Sequence, residues 1–202
     1  MLAKLKRTKF AQNQAMKATN DKLIEDLIDR TKANLKRVEA LRQMDLTALN
    51  WKSSPDRWSV LECIEHLNRY ARFYNPEIKM RLKDARRRSD GKFKSSWLGE
   101  YFAQSMLPKE KLNNMKTFTE MNPNQGHFDI SVIDAFEHFQ HELLEMLDDS
   151  RKVNLVKTKT SISISTWIKL RLGDTYRVVI YHNDRHLLQA ENAIALMRSK
   201  ER

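Results

Sequence analysis

Glycine and proline are scarce in this chain, four of each in 202 residues. Folds built from many tight turns need both residue types, so a turn-rich all-β architecture is excluded. Cysteine occurs once, as Cys63, which rules out an internal disulfide framework. A lone thiol suits a reducing compartment, and a cytoplasmic location is the expectation. No run approaches the roughly 18 apolar residues of a membrane span. The basic stretch over residues 1–10 lacks the apolar segment of a signal peptide. Negative charge is also short: 37 Lys and Arg stand against 26 Asp and Glu, for a net charge of +11. The cations are spread widely and form no nucleic-acid motif, so a solvated basic surface is the expectation. The strongest local case for nucleic acid or membrane contact is the basic stretch from Lys79 to Lys94, with Phe93 interleaved.

Helix formers fill the space those residues leave, and one mostly helical domain follows. Residues 1–18 are polar and basic and read as an extension, leaving 19–202 as the domain. Thr19 or Asn20 caps a first helix reaching about residue 45, with Leu23, Leu27, Val38 and Leu41 at helical spacing. Residues 46–57 read as a connection. Ser59 and Glu62 form a capping box that opens a second helix, which Pro76 is expected to kink or end. Residues 89–126 read as a long irregular connection, with a short helix over 97–106. Asp129 caps a third helix ending near 150. Residues 152–172 alternate weakly and fit extended chain, a hairpin arm or a connector. Asp174 is expected to cap a last helix running to about 198.

That last helix carries His182 and His186, one turn apart on one face. The face continues the stripe of Val179, Gln189 or Ala190, and Ala193, so it points inward. His66 lies beside the inner face of the second helix, between Cys63 and Tyr70. Three imidazoles on facing helices of a bundle suit zinc, nickel or ferrous iron, and leave a coordination position open for water or a substrate oxygen or sulfur. Spacing alone leaves open the plainer reading, core histidines satisfied by hydrogen bonds.

Trp58-Ser59-Val60-Leu61-Glu62-Cys63-Ile64-Glu65-His66-Leu67 resembles the W-S-x-x-E-x-x-x-H-L segment of the DinB-like superfamily. His182-Asn183-Asp184-Arg185-His186-Leu187-Leu188-Gln189 resembles its closing H-x-x-x-H-x-x-Q segment. The resemblance implies an all-α, DinB-like four-helix bundle with His66, His182 and His186 as ligands of one divalent metal. It implies a metal-dependent hydrolase or a thiol-dependent S-transferase acting on a small molecule, the latter with a low-molecular-weight thiol. A homodimer is compatible with it. Substrate contacts lie outside the shared segments. The rival reading is a non-enzymatic binding protein whose basic surface meets nucleic acid or an acidic partner.

Other candidates have plainer expected roles. Asp184 is expected to meet a surface charge, and Glu65 either to orient a ligand or to lie solvated. Gln189 is expected near the metal or in a buried polar contact, and Cys63 as a small apolar core residue. His127, His138 and His141 are expected away from the ligands. Trp51, Trp58, Trp97 and Trp167 are expected as packing anchors.

Overall fold

The computed structural model describes residues 17–87, 92–108, 117–124 and 126–200. Most of the expected extension, residues 1–16, and parts of the long connection lie outside these described residues. Four long helices form the bundle: α1 (Asn20–Leu41), α3 (Val60–Lys83), α5 (Ser131–Asp149) and α6 (Leu172–Lys200). The short α2 (Leu46–Asn50) and α4 (Trp97–Met106) attach to it. Each long helix packs on two others, with α3 between α5 and α6, and α1 closing the ring on their other side. The all-α expectation holds, with two small ribbons added. Antiparallel β1 (Lys17–Thr19) pairs with β2 (Lys92–Lys94), and β3 (Lys159–Ile162) with β4 (Ser165–Arg171).

Local chemistry explains most boundaries. Thr19 accepts a hydrogen bond from the Lys22 amide at the start of α1. The Ser59–Glu62 capping box opens α3, the Ser59 amide donating to Glu62 at 2.7 Å. Asp45 caps α2, a helix inside the expected connection.

Two expectations need correction, and the alternatives at Pro76 are narrowed. Pro76 does not end α3, which continues to Lys83. Proline forfeits one helix hydrogen bond, and packing against α5 and α6 holds the helix through it. Asp129 does not cap α5. The cap position is Ile130, and Asp129 binds the Ser131 amide in the preceding turn. Asp174 does not cap α6, because the hairpin carries the chain straight into a helix beginning at Leu172. Asp174 instead accepts from the Ser96 amide and hydroxyl at the start of α4, at 3.0 and 2.9 Å. A carboxylate there is favoured by the unpaired amides of a helix N-terminus. Close approach allows this contact, since a Cβ on Gly99 would meet the Asp174 carboxyl at 2.1 Å.

The core is two apolar clusters. One gathers Leu23, Leu27, Ile78, Phe93, Leu147 and Tyr176. The other gathers Val38, Leu61, Ile64, Ile133, Phe136 and Leu187. A belt of polar side chains runs between helices as well. Asn34 and Arg30 of α1 donate to Asp184 at 2.7 and 2.9 Å, and Asn183 donates to Gln140 of α5 at 3.0 Å. Asp184 is thus buried against α1, correcting the expectation of a surface pairing. Successive helix residues point about 100° apart. With Asn183 tied to α5 and Asp184 to α1, His182 is directed toward α3.

Candidate metal centre

His66 of α3 and His182 and His186 of α6 converge, each less than a tenth exposed. One nitrogen from each lies within 4.8 Å of the others. His66 Nε2 is 3.2 Å from His182 Nε2. Two nitrogens bound tetrahedrally to zinc at ~2.0–2.1 Å would stand about 3.3 Å apart, so this pair already has that spacing.

Two of the outer nitrogens are also held as a metal site requires. His66 Nδ1 donates to the Met121 carbonyl at 2.6 Å. A carbonyl only accepts, so Nδ1 carries the proton and Nε2 keeps its lone pair facing the triad. His186 Nδ1 donates to Gln189 Oε1 at 3.0 Å, so Nε2 keeps its lone pair. Gln189 therefore takes the role of holding a histidine, as its place one turn on suggested. These residues fit a divalent metal bound through neutral imidazoles.

Electrostatics favour the same state. Burial pushes His66 down to about 4, and the nearby Arg69 adds to the effect. Burial, then neighbouring imidazole charge and Arg185, hold His182 and His186 well below the ordinary histidine value. The unfolded chain therefore binds protons that the metal-free fold excludes, between about 6.5 and the depressed values. Stability of the metal-free protein is expected to rise with pH across that window and to fall on acidification. His66 alone contributes on the order of 3 kcal/mol. Urea titrations at stepped pH test this, and a flat profile between pH 4 and 6.5, the limits set by these shifts, would contradict it.

Aromatic rings enclose the triad. Trp58 lies 4.6 Å from His66 and 5.6 Å from His186, ring centre to ring centre. Tyr70 lies 4.9 Å from His66 and 4.7 Å from His182. Burial raises the Tyr70 phenol to about 12, so at neutral pH it is a hydrogen-bond donor and not a base. Neither ring was singled out from sequence as part of the site. Their adjacency to the Ser59 cap and one helical turn beyond His66 was the available signal.

The triad opens into a cavity of about 1190 Å³. Its walls are largely apolar and aromatic, including Tyr74, Phe102, Met106, Ile162 and Val179. Among the described residues its charged lining groups are Asp56, Arg57 and Arg185.

The remaining candidates lie apart from the imidazoles. Glu65 is drawn to Arg72 at 2.8 Å and Arg69 at 3.2 Å. Cys63 is fully buried in an apolar cluster, and burial pushes its thiol well above the ordinary range. His127, His138 and His141 are exposed and outside the triad. Trp97 and Trp167 are not packing anchors, at 76% and 94% exposed. Phe93, by contrast, is buried against Gly173 and offers no exposed ring among the surrounding cations.

No helix among the described residues is long and apolar enough to cross a membrane. No curated protein and no solved structure matches the chain. The family model of the DinB superfamily matches residues 27–190, which take in the bundle and all three histidines. The chain belongs to the DinB superfamily.

Proposed function

We propose that this protein is a divalent-metal enzyme of small-molecule chemistry, with His66, His182 and His186 as ligands and thiol-dependent S-transfer as its reaction. The convergence of three buried neutral imidazoles at the floor of the cavity carries the reading. A bound zinc, nickel or iron would supply Lewis acidity that keeps a thiol, or a water, deprotonated at neutral pH.

The chain's own groups do the rest. The Met121 carbonyl and Gln189 hold two imidazoles in one tautomer. Trp58 and Tyr70 pack on them and limit water. Two observations favour transfer over hydrolysis. Asp56 is the sole carboxylate among the described lining residues, and it is exposed, so a buried general base for water is missing from that set. The cavity also exceeds the ~300–1,000 Å³ typical of a single small ligand, which leaves room for a thiol and its acceptor together.

The test loads the protein with zinc, nickel or ferrous iron. It follows conjugation of low-molecular-weight thiols to monochlorobimane by fluorescence, beside a panel of ester and thioester hydrolyses. Metal-dependent conjugation that is lost in His186→Ala is expected. Metal-dependent hydrolysis without conjugation would replace transfer by hydrolysis, and no metal-dependent turnover of either kind would overturn the enzymatic reading.

A further inference from the structure

Residues 150–173 hold Arg151, Lys152, Lys157, Lys159, Lys169 and Arg171, with no Asp or Glu. They include the β3–β4 hairpin, which the fold brings against the β1–β2 ribbon. Arg171 Nη1 donates to the Lys94 carbonyl at 2.5 Å. Both ribbons set like charges directly opposite each other: Lys17 faces Lys94, and Lys159 faces Arg171. Such pairs weaken a ribbon that has no anionic partner. Lys17, Lys92, Lys94, Lys159 and Lys169 are all exposed.

Strand alternation sorts the hairpin further. Lys169 and Arg171 share one face of β4, and buried Leu170 lies on the other. The pairing passes from Lys169 to Ser165, so residues 166–168 bulge from the ladder and leave Trp167 94% exposed. Ile168 and Ile164 beside it are 39% and 48% exposed, Ile164 at the edge of the cavity lining. The exposed surface is therefore a set of lysines on two ribbons with a bare indole at the bulge between Lys169 and Ser165. Along a strand, side chains on one face recur every ~6.7 Å. The five exposed lysines outnumber the exposed Ile164, Trp167 and Ile168, whereas a bilayer calls for a broad apolar face. A line of point charges with one stacking ring suits an extended chain of phosphates and bases.

We propose that this composite face, β1–β2 together with β4, binds single-stranded nucleic acid. Lys92, Lys94 and Lys169 contact phosphates, and a base stacks on Trp167. The proposal is independent of the metal centre and of any turnover there.

The experiment is fluorescence anisotropy of a labelled oligothymidylate with the full chain, over a range of salt. Binding at low salt is expected, weakening as salt rises. Trp167→Ala is expected to weaken it by roughly 5- to 150-fold. Lys92→Glu and Lys169→Glu are each expected to lower the salt slope by about 0.7 per lost phosphate contact. These side chains are exposed, and circular dichroism confirms that the variants fold. No binding at low salt would overturn the proposal. So would variants that bind as the wild type does, or binding to phosphatidylglycerol vesicles in place of the oligonucleotide.

Discussion

Replacing His182 with alanine is expected to strip the divalent metal from the protein while leaving the bundle folded. His182 contacts both other imidazoles, with Nε2 3.2 Å from that of His66 and its ring centre 4.6 Å from that of His186. Losing merely a supporting partner of a metal-bound histidine costs roughly 10–100-fold in affinity. Losing one of three ligands is expected to cost more, and elemental mass spectrometry should fall from near-stoichiometric metal to background. The fold should survive, because the two apolar clusters do not depend on the imidazoles. Circular dichroism should show the same helicity. A metal held at 100 times its dissociation constant stabilises by about 2.7 kcal/mol. Chelation should therefore lower the melting temperature of the wild type and leave that of His182→Ala unchanged. A wild type that takes up neither zinc, nickel nor iron would overturn the metal assignment.

The second large effect is expected at Arg177, far from the imidazoles in role. Its guanidinium is 2% exposed and forks onto Glu100 of α4 at 2.8 and 3.1 Å. It also donates to the Ser95 hydroxyl at 3.1 Å, and Asp174 lies 3.6 Å away. Arg177 is the cation between two buried carboxylates, and it fastens α4 to α6. Arg177→Ala leaves those carboxylates without it, and breaking a buried pair from one side costs about 3–5 kcal/mol. That is a large part of the 5–15 kcal/mol typical of a folded domain. At about 2–4 °C per kcal/mol for a chain of this size, the melting temperature should drop by roughly 6–20 °C. Arg177→Met with Glu100→Leu should recover part of the loss, since it leaves Asp174 as the one carboxylate of the pair without the cation. A single variant as stable as the wild type would show that water reaches the network.

Local features of the fold were readable. The Ser59–Glu62 box and the helix over 97–106 depend on neighbours within one or two turns, and each appears where expected, whereas α6 is buried on every side from Leu172 to Leu187 and shows no single stripe there. The His182–His186 pair was readable for the same reason, since one turn separates the two, and His66 joined it through the resemblance of its own segment. Features set by distant partners were not. Asp184 looked like a surface residue until Arg30 and Asn34 of α1 met it. Asp174 looked like a cap for its own helix and serves the start of α4. Phe93 looked available among cations and is buried, while Trp167 looked like an anchor and is bare.

The amino-acid sequence by itself determined the helical class, the starts of α1, α3 and α4 and the His182–His186 pair, because propensity, capping and periodicity act over a few residues. Tertiary structure alone decided that α3 and α6 are neighbours and that Asn183 and Asp184 fix the rotation of α6. It also decided that Trp58, Tyr70 and the Met121 carbonyl complete the site, and that two cationic ribbons share one face. Each of these joins groups dozens of residues apart, and only the packing of the whole bundle determines which of them meet.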